Sequence, residues 1–355
     1  LPFIGLGGVL FLFLYRQRKR VYLAGNIFEL SARAVATEMG TLVPSLLFGL
    51  FSMFNVIMGG AGAALVLELL ARVDVWVQGV VVFLLELGYA WLLFSSMYLA
   101  DGTIIGIIDD WYRNPTTDKA NLKNGFVRVR RVIGPLIQLA FVMALLETVA
   151  RTARKQAEGA KGTGGIGAIG AMLFYFVSAL AYGLVQFITY FALPAMVIEG
   201  TGFKDSVKRS YTLVWRHWVD VVLAYMGIDG TYALFMVAML ALYGTSGAAA
   251  GWLLIAPATV TTADPIFVSI FSVVAFILVG FIPAYVLFRP MKAAYNTILY
   301  EYAKDMETGH LLPSRMPPDL GQQFQGIISE AQTQRRISRW AEPKFPEEEL
   351  VTKIK

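Results

Sequence analysis

Apolar residues run in long blocks separated by short charged stretches, the pattern of helices that cross a bilayer. A hydrocarbon core roughly 30 Å thick takes about 20 apolar residues per helix, and residues 266–288 supply 23 in a row without a charge. The same reading predicts spans over residues 1–15, 41–58, 77–99, 132–150, 169–193 and 219–243, about seven transmembrane helices in all. The first stretch is short for a crossing and begins without Met, so the chain is expected to start inside a helix or after a processed segment. Its basic cluster, Arg16, Arg18, Lys19 and Arg20, follows the apolar run instead of preceding it, which predicts a retained anchor and not a signal peptide.

Composition agrees with this all-α, polytopic membrane bundle: 57% of residues are hydrophobic, 15% are charged and the mean hydropathy is +0.60. The charge placement predicts an orientation. Residues 16–40, 100–131, 200–218 and 289–355 carry 25 of the 30 Lys and Arg, leaving Arg72, Arg151, Arg154, Lys155 and Lys161 on the other side. Because cytoplasmic loops retain Lys and Arg, the N-terminus is expected outside and the C-terminus in the cytoplasm of a prokaryotic inner membrane. Residues 151–168 are the awkward loop in that scheme. The net charge of +5 lies beside membrane segments, so the expected partners are membrane lipids with anionic headgroups, and not nucleic acid.

Three segments on the basic side look alike: residues 28–33 (FELSAR), 122–128 (LKNGFVR) and 203–209 (FKDSVKR). Each opens a short amphipathic stretch that runs into a span, and the starts lie 94 and 81 residues apart. That spacing predicts three repeats of an elbow helix plus a transmembrane hairpin after the N-terminal anchor, with the elbows lying in the interface. A basic amphipathic segment entering any membrane helix would look similar. The domains expected are an anchor with its basic stop over 1–24, a six-helix membrane domain over 25–309 and a cytoplasmic tail over 310–355.

Residues 194–210 (PAMVIEGTGFKDSVKRS) have a physical reading of their own. Pro194 predicts that the fifth span kinks or ends, Gly200 and Gly202 permit a turn, and Ser206 or Asp205 can cap the following helix. Glu199 can pair with Lys204, Lys208 or Arg209 at the membrane edge. The segment, followed by Trp215, resembles the hallmark of an uncharacterised prokaryotic six-helix integral membrane family and is similar to the membrane domain attached to some glycerophosphodiester phosphodiesterases. Residues 300–303 (YEYA) resemble that family's closing motif. The resemblance covers residues 25–305 and implies a fold, with Pro194, Glu199, Gly200, Ser206, Lys208, Arg209 and Ser210 as its characteristic residues. It implies no activity.

Ionisable groups inside a span cost several kcal/mol unless paired or wet, which singles out Glu86, Glu147 and Asp229. Counted from the start of its own repeat, Asp229 lies 26 residues in, Glu147 25 and Asn55 27, so each hairpin places one polar group at nearly the same depth. If the repeats pack around a pseudo-axis, these three face one cavity, joined by Glu86. They would then form a polar site for a cation, proton or headgroup. The structural alternative is interhelical hydrogen bonding, with Glu147 paired to Arg151 one turn later.

Catalytic constellations are lacking. His217 and His310 are the only histidines and there is no cysteine, so neither a His-rich metal centre nor a thiolate site is expected. His217 sits among Trp215, Arg216 and Trp218, which suits an interfacial anchor. Residues 165–170 match GxGxxG, but no strand precedes them and a span follows, so a dinucleotide site is not expected. The glycines there, and Gly59, Gly60 and Gly62, read as loop or close-packing positions. Asp109 and Asp110 read as solvated surface. In the tail, Phe324, Ile327, Ile328, Ile337 and Trp340 lie at helical spacing beside Arg335, Arg336 and Arg339, predicting an amphipathic helix over 321–340. The expectation from these readings is a noncatalytic protein without cofactor or metal, a scaffold or accessory subunit that forms homo-oligomers or joins a larger membrane complex. The alternative is a transporter or channel for a small ion, lipid or amphiphile, with Glu86, Glu147 and Asp229 in its pathway.

Overall fold

A computed structural model describes residues 18–70, 73–114, 121–160, 166–216, 218–255 and 265–308, and all their regular structure is helical. The expected first span and the tail over 310–355, with its amphipathic helix, lie outside the described residues, as do His217 and His310. The helices are α1 (Arg18–Thr37), α2 (Leu42–Leu70), α3 (Val75–Arg113), α4 (Leu122–Arg131), α5 (Ile133–Ala160), α6 (Ile166–Ile188), α7 (Ala192–Glu199), α8 (Phe203–Arg216), α9 (Trp218–Ile255) and α10 (Pro265–Thr308). Six of the seven apolar stretches coincide largely with α2, α3, α5, α6, α9 and α10, that of 169–193 running past α6 into α7. Among the described residues, four helical stretches pass for membrane spans by length and apolarity: Val75–Arg113, Ile133–Gly159, Ile169–Glu199 and Gly230–Leu253. The bent pair Gly25–Thr37 and Met39–Asn55, turning by 91°, makes a fifth if it is one span.

Helix α3 packs on α5 and α5 on α6, while α9 and α10 pair along their lengths and α10 also meets α1, α2 and α3. In the most apolar windows of three spans only 6% of residues are buried. An apolar surface turned outward on this scale is what lipid as solvent requires, since helices satisfy their own backbone and need no polar face. The tight core lies at one end, which carries the elbows: Ile104, Ile105, Ile107, Ile108, Trp111, Tyr112, Phe191, Tyr295 and Tyr300 are all buried there.

Of the three elbow segments, residues 122–128 and 203–209 open the short helices α4 and α8, whereas residues 28–33 lie inside the longer α1 instead of opening a helix. Asn121 opens α4 by accepting the Lys123 amide at 2.9 Å. The α4 helix then crosses α3 where two glycines meet, and a Cβ on Gly125 would stand 2.6 Å from the Thr103 carbonyl oxygen. Pro194 occupies the first turn of α7, where a missing amide proton costs nothing. The span therefore breaks just before it, at residues 189–191. Gly200 ends α7 with φ +68°, a left-handed conformation suited to glycine, and donates to the Met196 carbonyl at 3.0 Å. Gly59, expected near a hairpin turn, lies within α2, and its lack of a side chain makes room for the Tyr89 ring.

Candidate functional site

Between α3, α5, α6, α7, α9 and α10, toward the elbow end, lies a cavity of about 330 Å³. Seven aromatic side chains stand in its walls: Phe94 and Tyr98 from α3, Tyr182 from α6, Tyr190 from the break, Tyr232 from α9, and Tyr285 and Phe288 from α10. Tyr232 and Phe288 pack with ring centroids 4.5 Å apart. Asp101, Gln186, Arg289, Lys292 and Asn296 supply the polar part of the lining.

Asp101 and Arg289 meet across the cavity. The Arg289 Nε donates to Asp101 Oδ1 at 2.7 Å, one terminal nitrogen donates to the Met97 carbonyl at 2.9 Å, and the other reaches the Tyr285 hydroxyl. Its guanidinium carbon stands 4.0 Å from the centroid of the Phe48 ring and 5.5 Å from that of Tyr285. The Arg289 side chain is 9% exposed and that of Asp101 20%, so their charges meet in a partly dehydrated setting where attraction is strong.

From this point α10 carries a ladder of polar contacts toward the elbow end. Tyr190 donates to Asn296, Tyr300 donates to Glu199 at 2.7 Å, Arg113 pairs with Glu301, and Arg209 pairs with Glu307 at 2.6 Å. Burial, and then the bond to Glu199, push the Tyr300 phenol above its usual range, so it stays a donor. Asp109, expected on solvated surface, is buried and bound by Arg113 at 2.8 Å and by Arg128, which also reaches Asp110. The basic elbow α4 supplies the partner that the sequence alone does not pair with it.

The residues of the 194–210 segment assemble the same ladder. Ser210 donates to the Ile188 carbonyl and accepts the Phe191 amide at 3.0 Å, so a side chain of α8 satisfies the backbone opened by the break. Ser206 bonds to the Thr201 hydroxyl at 2.6 Å and ties the turn. Glu199 receives Lys304 at 3.4 Å and Arg209 at 3.8 Å in addition to Tyr300. Lys208 is exposed.

Glu86, Glu147 and Asn55 are not in the lining of this cavity. Glu86 pairs with Lys155 at 2.6 Å and Glu147 with Arg151, each beyond the cavity lining on the side away from the elbows. Glu86, Arg151 and Lys155 line a separate cavity there. Asn55 donates to the Phe51 carbonyl of its own helix at 2.7 Å. Asp229 lies in α9, and its side chain is outside the described residues. Among the described residues, no three His, Asp or Glu groups converge as a metal site requires.

Asp101 and Arg289 escaped the sequence reading because each sits just past the end of an expected span, where charge is ordinary. The available signal was helical spacing: Phe94, Tyr98 and Asp101 share one face of α3, and Tyr285, Arg289, Lys292 and Asn296 share one face of α10.

No curated protein matches the chain. A sequence model of a family described as plasma-membrane choline transporter matches residues 1–307. That match overturns the resemblance to the uncharacterised six-helix family and to the phosphodiesterase-attached membrane domain. The residues that carried the resemblance do general physical work: a proline at a helix start, a left-handed glycine cap, and serines and a basic face on an elbow. Any chain that breaks a span and enters an interfacial helix needs such residues, so they do not distinguish families. With 307 of its 355 residues inside the match, the chain belongs to the plasma-membrane choline transporter family.

Proposed function

We propose that the protein is a membrane transporter whose cavity between α3, α6, α9 and α10 receives a small organic cation of the choline type. The observation that carries this reading is the aromatic wall around a single Asp101–Arg289 pair. Ring faces attract quaternary ammonium groups by about 0.5–2 kcal/mol each, and the volume lies at the lower end of the roughly 300–1,000 Å³ common for small-molecule pockets. Family membership supports transport over the scaffold role first expected. The polar ladder from Asn296 to Glu307 lies between the cavity and the elbow end, where an element closing one side of a transport path belongs.

The Lys and Arg distribution supports an orientation with the elbows and C-terminus in the cytoplasm. An apolar groove of about 910 Å³ between α2, α3 and α4 carries Lys123 and Arg130 in its lining, which favours an anionic lipid as its occupant.

The test is uptake of labelled choline into proteoliposomes. Flux above protein-free vesicles that drops when Tyr232 or Tyr98 is replaced by Leu supports the reading. Truncating one ring should weaken choline binding roughly two- to thirtyfold, and absence of any flux sinks it.

A further inference from the structure

A cavity that receives a cation already contains one. Arg289 neutralises Asp101 and covers the Phe48 ring, so its guanidinium uses the two attractions that a quaternary ammonium would use, a carboxylate charge and an aromatic face. Arginine does not lose its proton in proteins, so deprotonation offers no route to clearing the site. With Asp101 and Arg289 paired, this part of the cavity is neutral. An added cation brings uncompensated positive charge into a poorly hydrated space unless the guanidinium leaves.

We propose that Arg289 is a resident counter-cation that the transported cation displaces from Asp101, and that this exchange unfastens the cavity side of α10 from α2 and α3. The contacts of Arg289 divide accordingly. Tyr285 is on its own helix and moves with it, whereas Asp101 and Met97 belong to α3 and Phe48 to α2. Giving up the last three removes the bonds by which Arg289 clamps α10 to both helices. In the empty protein the clamp keeps Asp101 from standing as an unpaired carboxylate in a partly dehydrated cavity. In the loaded protein the cargo takes over that charge, and the cavity-side ties of α10 to α2 and α3 are released while the ladder from Asn296 to Glu307 still holds its elbow end. One cation stands on Asp101 at a time, and Lys292, the other basic group of the lining, is present in both states. The proposal rests on reading the cavity as the cation site.

The experiment is calorimetric titration of choline chloride into the purified full chain and its variants in detergent, alongside choline uptake in proteoliposomes and thermal melts that report folding. Removing the competitor by Arg289→Gln should tighten choline binding roughly tenfold while slowing uptake, because the return of the clamp is lost. Arg289→Lys keeps a charge on Asp101 with fewer contacts and should tighten binding by a smaller factor. Asp101→Asn should weaken it roughly tenfold or more. A pair that only staples helices predicts the opposite sign, since loosening it leaves affinity unchanged or lower. If Arg289→Gln does not fold, Arg289→Lys decides. Wild-type binding and uptake without a gain in either arginine variant overturns the exchange and leaves the cavity reading standing. Failure of the wild type and every variant to bind or move choline overturns both.

Discussion

Tyr300 of α10 donates its phenolic proton to Glu199 at the end of α7, 2.7 Å away and across 101 positions of sequence. The bond joins the two elements that flank the broken span. Tyr300→Phe removes this donor and leaves Glu199 with its two longer ion pairs. A hydrogen bond to a charged group is worth about 1.5–3 kcal/mol, so the variant should melt at a lower temperature in detergent. The raised Tyr300 phenol adds a pH signature. Above pH 10, about the ordinary tyrosine value, the unfolded chain loses this proton before the folded one does. Stability therefore falls as pH rises past that point, and the fall should be shallower in Tyr300→Phe.

Asp109→Asn should be more damaging than Asp110→Asn. The Asp109 side chain is 3% exposed against 15% for Asp110, and it serves both Arg113 and Arg128. Removing one partner from a buried pair costs about 3–5 kcal/mol. Denaturant titration of both variants should rank them in that order, and equal midpoints would refute the placement of Asp109 inside the elbow junction.

Gly125→Ala puts a methyl group against the Thr103 carbonyl oxygen, a backbone atom that cannot swing aside. Overpacking of this kind costs about 1–3 kcal/mol. Gly183, within α6, has open space where its Cβ would go, and Gly183→Ala should gain up to about 1 kcal/mol from helix propensity. Thermal melts of the two alanine variants should move in opposite directions.

Glu86 and Lys155 separate a polar pathway from an edge ion pair. Their side chains are 34% and 66% exposed, and pairs in such settings contribute about 0–1 kcal/mol. Glu86→Gln should leave both the melt and choline uptake close to wild type. A folded variant that has lost uptake would put Glu86 on the path, as its intramembrane position first suggested.

The absence of cysteine makes the orientation directly measurable, since a single introduced thiol is the only one to label. In intact cells, Glu158→Cys should react with an impermeant maleimide and Lys208→Cys should not. Labelling only at position 208 would invert the topology.

The all-helical membrane character was legible in the sequence, although four spans, or five with the bent pair, stand among the described residues where seven were expected in all. It rests on local pattern: runs of apolar residues, basic clusters beside them, and turn residues such as Pro194 and Gly200. Helix formation in lipid needs little more than that, as the backbone must satisfy itself wherever apolar side chains hold it in the bilayer. The candidate site depended on which charges meet. Asp109 read as solvated surface until α4 brought Arg128 onto it, and Tyr300 belonged to a motif with no visible purpose until α7 placed Glu199 beside it.

Sequence alone therefore determined an all-helical membrane chain and the asymmetry of its basic residues, both of them short-range properties. The tertiary structure decided that Asp101 and Arg289, 188 positions apart, share one cavity, and that Glu86 and Glu147 sit in ion pairs outside its lining. Pairing across such distances is set by how long helices cross and rotate against one another. Hydropathy carries little of that information, because a lipid-facing helix turns apolar residues toward its neighbours and toward the bilayer alike.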